Sequence, residues 1–161
     1  MFSGLSSTRI NPSNATWDWV ARLKKMTPMK IVIKGIETGE DARLAREHGA
    51  DGIIVSNHGG RASETLRPTV DVVPEAVAAV NDRIPVLMDG GIRRGSDAFK
   101  ALAYGARAVG IGRPYTWGLA AYGQEGVERV LALLNAELTM TMRQCGTPTL
   151  ARITSAHVRR V

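Results

Sequence analysis

Residues 84–95 read IPVLMDGGIRRG, and this stretch does most to decide the fold. It opens with a short apolar run, which predicts a buried β-strand over residues 84–89. Two glycines and two arginines follow, and a helical pattern then runs from Ser96 to Tyr104. The stretch therefore predicts a strand, a glycine-rich turn and a helix in direct succession, which is one unit of an α/β protein.

The same unit recurs along the chain. Further strands are predicted over residues 29–35, 52–56 and 108–112, and the helices that follow them over 38–47, within 70–80 and over 126–142. One more helix is predicted over 16–26, before the first strand. The strands are almost wholly apolar, which is typical of parallel sheets covered on both faces.

Two α/β architectures fit this alternation: an open doubly wound sheet, or part of a barrel. Lys34, Ser56, Asp89 and Gly112 stand at the predicted carboxyl ends of the four strands. Four such ends in a row favour the active face of a TIM (βα)8 barrel, because a doubly wound sheet concentrates its ligand at one switch point. A complete barrel takes about 250 residues. We therefore expect half of a barrel, with four parallel βα units.

Two glycine–arginine turns predict a phosphate site. The first, residues 89–95, leaves a strand and enters a helix, whose N-terminus favours an anion. The second, Gly110-Ile111-Gly112-Arg113-Pro114, repeats the pattern one unit later. Ordinary glycine turns with solvated arginines are the alternative, but two such turns in adjacent units favour phosphate. A dinucleotide fold is disfavoured, because Gly110 and Gly112 do not continue into the Gly-x-Gly-x-x-Gly pattern.

A third segment, Ser56-Asn57-His58-Gly59-Gly60-Arg61, indicates acid–base chemistry. A histidine on a loop at a strand end can accept a proton near neutral pH, and Arg61 can bind a carboxylate through two hydrogen bonds. Lys34 can supply a fixed positive charge to a ligand that becomes negative. A solvated loop histidine and a simple strand-end cation remain the alternatives from residue types alone.

Composition disfavours several other classes of function. The net charge is +6, but no run of like charges predicts a nucleic-acid-binding tail. A single cysteine, Cys145, is typical of a reducing compartment, so we expect a cytoplasmic protein. No apolar run reaches membrane-spanning length, no secretory leader is recognisable, and no histidines or cysteines stand at metal-ligand spacing.

These motifs resemble the FMN-dependent α-hydroxy-acid oxidase and dehydrogenase family over residues 11–154, and residues 56–61 are the most specific element. The resemblance implies FMN as cofactor and a small 2-hydroxy acid as substrate. It implies that His58 takes the substrate hydroxyl proton, that Arg61 holds the substrate carboxylate, and that Lys34 lies near flavin N1 and O2. The remaining implied FMN contacts are Ser56, Asp89, Gly90, Gly91, Arg93, Gly112 and Arg113.

The resemblance also has limits. The family's full barrel has an N-terminal half that supplies further substrate and flavin groups, and none of these maps onto this chain. Residues 62–67 also differ from the usual Gln-Leu-Asp-Gly pattern after the arginine.

Half of a barrel has consequences for assembly. We expect an N-terminal loop over residues 1–15, a half-barrel over 16–154 and a tail over 155–161. An open half-barrel leaves an apolar face and two sheet edges, so we expect a homodimer. Three functions stay open: an FMN-binding half-barrel with little or no turnover, an oxidase completed by a second subunit, and a non-catalytic fragment.

Overall fold

The computed structural model describes residues 15–62 and 67–159 of the chain. The elements follow one another as α1 Asp18–Met26, β1 Val32–Ile36, α2 Gly39–Glu47, β2 Gly52–Val55, α3 Thr69–Val80, β3 Val86–Met88, α4 Gly95–Ala103, β4 Ala108–Val109 and α5 Arg113–Gln144. Every predicted element is present with its predicted type. The predicted loop over residues 1–15 lies outside the described residues except for Ala15.

The four strands form one parallel sheet in the order β1-β2-β3-β4. Each new strand is thus added beside the previous one, in chain order, and the order never reverses as it does in a doubly wound sheet. This order is that of a (βα)8 barrel opened after four units. The structure therefore decides between the two architectures in favour of the half-barrel.

One face of the sheet carries the core. Ile53 and Val55 of β2 and Val86 and Met88 of β3 are buried, and they belong to the same cluster as buried residues of the helices. The helices contribute Ala42, Ala45, Val72, Val73 and Ala76, which are also fully or almost fully buried. Burial of these aliphatic side chains is the main stabilising term of the fold.

The opposite face of the sheet is more open. A row of paired residues crosses it through Lys34, Ile54, Leu87 and Ala108, one from each strand. None of the four is buried, and Lys34 and Ala108 are exposed. Within the described residues, the expectation that the strands are covered on both faces therefore holds for one face only, where residues of α1 to α4 join the core.

The strands end one to three residues away from their predicted ends, and two of these differences affect the site. β1 continues through Ile36, so Lys34 lies within it, just before a register shift at Gly35, whose φ is +95°. β4 ends at Val109, so Gly110 and Gly112 belong to the loop that follows. In both places a glycine releases the backbone from regular strand geometry.

A carboxylate joins the elements at the amino-terminal end of the sheet. Asp51 accepts a hydrogen bond from the Ile31 backbone N–H at 2.9 Å and forms an ion pair with Lys24 at 3.1 Å. The backbone hydrogen bond from Ile31, with help from Lys24, lowers the pKa of Asp51 to about 2. The residue before β2 is thereby tied both to α1 and to the approach to β1.

Helix α5 differs most from the prediction, because it begins at Arg113 and not at Gly126. Non-helical dihedral angles at Tyr122 and Gly123 divide it into two segments. The three glycines at 118, 123 and 126 obscure the periodicity of the first segment, while Pro114 fits its first turn. Backbone atoms at Gly118 and Gly126 come so close that a Cβ on either would overlap the other residue.

The C-terminal part is packed more closely than a free tail would be. Ser155–His157 forms a 3-10 turn, and the His157 ring makes an edge contact with Phe99 at a centroid distance of 6.1 Å. Across the two described ranges, no helix combines the length and the apolarity that crossing a bilayer requires.

We expect Gly118→Ala to lower the free energy of unfolding by about 2 kcal/mol, because overpacking at a tight contact typically costs about 1–3 kcal/mol. Urea denaturation followed by circular dichroism measures the change. Ala120→Ser, at an exposed position of the same segment, is the control and should stay within about 0.5 kcal/mol of the wild type. An unchanged or raised midpoint in Gly118→Ala would contradict the close crossing of the two segments.

Candidate functional site

The carboxyl ends of the strands surround a cleft with a volume of about 360 Å³. Every predicted site residue except Ser56 lines it: Lys34, His58, Arg61, Asp89, Gly90, Gly91, Arg93, Gly112 and Arg113. The described residues of the lining include four cationic side chains and one carboxylate, so their charge favours an anionic ligand. Residues from four strand ends, spread over eighty positions of the sequence, thus converge on one site, as the barrel face predicts.

Three neighbouring strand ends are joined by one hydrogen-bonded network. Lys34 Nζ donates to Ser56 Oγ at 2.7 Å and lies 3.1 Å from Asp89 Oδ2. Ser56 Oγ donates a short hydrogen bond to Asp89 Oδ1. The ammonium group of Lys34 is therefore held in place at one wall of the cleft.

The loop that carries His58 and Arg61 is held by its own side chains. Asn57 Oδ1 accepts hydrogen bonds from the backbone N–H groups of Gly59 and Gly60, each at 3.1 Å. The Gly59 carbonyl in turn accepts from Arg113 Nη2 at 3.1 Å. The loop after β2 is thus hydrogen-bonded to Arg113, the first residue of α5. The same set of contacts therefore joins His58, the predicted base, to Arg113, a predicted phosphate ligand.

His58 has a φ of +55°, which is uncommon for a residue with a side chain. Its ring lies against Gly35, where a Cβ would come within 3.1 Å of His58 Cε1. The glycine at the irregularity in β1 therefore makes room for the imidazole beside Lys34. The sequence did not indicate this contact, because a glycine in a strand has many roles.

The arginine of the first glycine–arginine turn, Arg93, contacts an aromatic ring. The guanidinium of Arg93 lies over the ring of Trp117, 5.1 Å from its centroid, in a cation–π arrangement. Trp117 belongs to the first segment of α5, which the sequence analysis did not detect. Thr116, one residue earlier, lines the cleft and was also missed.

The backbone donors at the N-terminus of α4 are used by carboxylates of the chain itself, whereas the sequence suggested that they would bind a ligand anion. Asp97 Oδ2 accepts hydrogen bonds from the backbone N–H groups of Arg93 and Arg94, each at 2.9 Å. Glu137 Oε2 accepts from the Gly95 N–H at 2.8 Å. Because these donors are already used by carboxylates, that part of the prediction is wrong, and the helix that begins at the cleft is α5.

The glycines of the two glycine–arginine turns leave open space in the cleft, beside the two arginines. Gly90 and Gly91 have φ values of +89° and +80°. A Cβ at Gly91 or at Gly112 would meet no described atom within 4 Å, so the backbone at both positions opens toward the cleft. With Arg93 and Arg113 as forked donors beside this space, the residues fit the phosphate and polar chain of FMN.

Arg67, the last of the unusual residues 62–67, forms an ion pair with Glu75. Arg67 donates to both carboxylate oxygens of Glu75, at 2.9 and 2.8 Å. Glu75 also accepts from the Gly39 N–H at 3.0 Å, and the hydrogen bonds from Arg67 lower the pKa of its carboxyl. The loop that carries the predicted base is thereby fixed at its far end to the start of α2.

Four in-order parallel βα units with cationic glycine turns at their carboxyl ends define half of a (βα)8 barrel. Comparison with known proteins is consistent with this class. The sequence pattern of the FMN-dependent dehydrogenase family matches residues 4–160. The chain belongs to this family.

Individual relatives agree with the assignment. A peroxisomal (S)-2-hydroxyacid oxidase of Arabidopsis thaliana is 48% identical over 98% of this chain and 48% of its own length. The structure of a soluble mutant of (S)-mandelate dehydrogenase from Pseudomonas putida is 40% identical with a TM-score of 0.86, over 91% of this chain and 41% of that chain. A mandelate oxidase mutant with a monooxide FMN adduct is 47% identical with a TM-score of 0.82, over 85% and 44%. The chain thus spans about half the length of the relatives it matches.

Proposed function

We propose that this chain is an FMN-binding half-barrel of the 2-hydroxy-acid oxidase type, with the phosphate held by its last two βα loops. The observation that carries the proposal is that Arg93 and Arg113, from adjacent units, line one cleft with the open glycine positions 91 and 112. Each arginine offers a planar pair of donors to phosphate oxygens. Asp89 and Gly90, on the same wall, would contact the polar chain between the phosphate and the ring.

The chemistry of the proposed reaction would use three side chains. Arg61 would bind the substrate carboxylate, and His58 would accept the proton of the substrate hydroxyl at the imidazole. Lys34 would stabilise negative charge with its ammonium group, which already lies in the cleft. FMN, when bound, supplies the acceptor for the two electrons of the oxidation.

We further propose that turnover by this chain alone is weak or absent. The relatives are about twice as long, and the resemblance assigns several substrate and flavin groups to their additional half. The half-barrel domain would cover residues 16–154, with 155–161 as its tail. A cytoplasmic location stays a prediction from the single cysteine, and the Arabidopsis relative is named peroxisomal.

We propose a homodimer as the form of the protein that closes the open face. The row through Lys34, Ile54, Leu87 and Ala108 is not buried, and within the described residues β1 pairs only with β2 and β4 only with β3. Two unpaired parallel edges and an open inner face favour association with a second copy.

An active oxidase is the second candidate function. It is favoured by the joint presence of His58 and Arg61 in the cleft beside Lys34. In this case a second subunit would supply the groups that the other half supplies in the relatives.

We expect the purified chain to bind FMN, and Arg93→Met or Arg113→Met to weaken this binding about 10-fold or more, since hydrogen bonds to charged groups contribute about 1.5–3 kcal/mol. Quenching of FMN fluorescence gives the dissociation constants. Riboflavin, which lacks the phosphate, should bind the variants and the wild type equally well. Arg94→Met is the matched control, because Arg94 is adjacent but does not line the cleft. An equal effect of all three substitutions would argue against the assigned phosphate ligands.

We expect light scattering to give the mass of two chains at micromolar concentration. Leu87→Glu, on the open face of the sheet, should shift the protein to monomers, because it places a charge in the proposed interface. Leu131→Glu, on the exposed side of α5, is the control and should leave the dimer intact. A monodisperse wild-type monomer with a cooperative melt would reject the dimer, and dissociation by Leu131→Glu alone would place the interface on α5.

We expect anaerobic addition of L-lactate or glycolate to bleach the flavin of the loaded chain slowly or not at all. The reason is that the resemblance assigns about half of the groups around the substrate to the part of the relatives that this chain does not match. Absorbance at the flavin bands measures the rate. Fast bleaching that disappears in His58→Ala would favour the active oxidase, and fast bleaching at the same rate in His58→Ala would show that the assigned base is wrong.

A further inference from the structure

Arg93 and Arg113 line the same cleft, but they are held in different ways. Arg113 Nη2 donates a hydrogen bond to the Gly59 carbonyl at 3.1 Å. The guanidinium of Arg93 instead lies over the ring of Trp117, and its Nη1 donates to the Ile92 carbonyl at 3.3 Å. In the described part of the chain, Arg93 forms no ion pair with a carboxylate. The Trp117 ring is therefore the contact that holds this guanidinium from outside its own turn.

The position of Trp117 on α5 explains why its ring reaches Arg93. Trp117 stands four residues after Arg113, so both side chains lie on the same face of the first segment, one turn apart. The ring is 56% exposed and belongs to neither buried cluster, so packing of the core does not account for its position. Trp117 does not itself line the cleft. The segment that carries one arginine of the cleft thus also carries the ring that supports the other.

An aromatic ring holds a guanidinium without neutralising it. The cation is attracted to the electron-rich face of the ring, and the planar fork of N–H donors stays available to phosphate oxygens. A carboxylate partner would bind the same fork and cancel the charge. The neighbouring Arg94 shows the difference, because its Nη1 lies 4.0 Å from Glu137 Oε1 and its side chain does not line the cleft.

We propose that Trp117 is a positioning residue for the phosphate site. Its ring holds the guanidinium of Arg93 at the cleft with charge and donors available, and it acts on a bound phosphate only through Arg93. The consequence for FMN binding rests on the proposed function, whereas the contact between the ring and the guanidinium does not.

A double-mutant cycle tests whether Trp117 acts through Arg93, because residues that share one interaction are not additive. We expect Trp117→Leu to weaken FMN binding about 3-fold when Arg93 is present, in line with an exposed cation–π contact. In the Arg93→Met background the same substitution should change the dissociation constant less than about 1.5-fold. Riboflavin should bind Trp117→Leu and the wild type equally well.

Three results of this cycle would overturn the proposal. An unchanged FMN dissociation constant in Trp117→Leu would show that the ring does not support phosphate binding. Equal factors in the two backgrounds would show that the ring acts independently of Arg93. An equal loss of riboflavin binding would show that the ring contacts the flavin itself or supports the fold.

Two further variants serve as controls. Trp117→Phe keeps an aromatic face and should bind FMN within about 1.5-fold of the wild type. Trp19→Leu removes the ring of another cation–π pair, in which Arg22 lies 4.2 Å from the ring centroid and neither residue lines the cleft. It should leave the FMN dissociation constant unchanged. If Trp117→Leu does not melt cooperatively, Trp117→Gln, which suits an exposed helical position, takes its place.

A second measurement needs no FMN and decides the proposal if the wild type does not bind the cofactor. In ¹H–¹³C NMR spectra of the cofactor-free chain, the ring current of Trp117 should shift the Cδ proton signals of Arg93, which Arg93→Met identifies by removing them. Trp117→Leu should return these signals to their usual position, and Trp19→Leu should not. Unshifted signals in the wild type, or an unchanged shift in Trp117→Leu, would overturn the proposal. Failure of the wild type to bind FMN, with the expected NMR result, would reject the proposed function alone.

Discussion

The parallel pairing of four strands in chain order is the constraint on which the rest of the structure depends. It places the carboxyl ends of all four strands along one edge of the sheet, so that residues as far apart as Lys34 and Arg113 line one cleft. Residues of α1 to α4 form the core that buries one face of the sheet, and the other face is open in the described part of the chain. The site and the open face that motivates the proposed dimer therefore have the same origin.

Close approach of other groups to glycine residues is the second recurring feature. Gly35 admits the His58 ring, and Gly118 and Gly126 let the two segments of α5 cross in contact. This crossing sets the direction of the first segment, which carries Trp117 to the guanidinium of Arg93. Small residues that do not line the cleft thus determine how one of its charged groups is oriented.

Contacts within the chain fix the positions of several charged groups in and near the cleft. Among the described residues that line the cleft, Asp89 is the one carboxylate, and it offsets the excess of cations where it meets Lys34. Asp97 of α4 and Glu137 of α5 do not pair with the cations of the cleft in this way. Their carboxylates accept hydrogen bonds from backbone N–H groups at the start of α4. The cleft consequently keeps a positive character on the side of Arg93 and Arg113, where the proposed phosphate would bind.

The sequence by itself determined the order and type of the elements, because apolar runs, caps and glycine stops are local signals. Thr38, predicted as a helix cap, accepts the hydrogen bond of Asp41 N–H as expected. It also determined which residues gather at the cleft, since strand ends in a parallel sheet must meet. It did not reveal the first segment of α5, because glycines 118, 123 and 126 interrupt the periodic pattern. Only the tertiary structure decided that Glu137 caps a helix 42 residues away and that Ser56 is enclosed by Lys34 and Asp89. These contacts join residues that are distant in the chain, and their geometry depends on packing that no local pattern records.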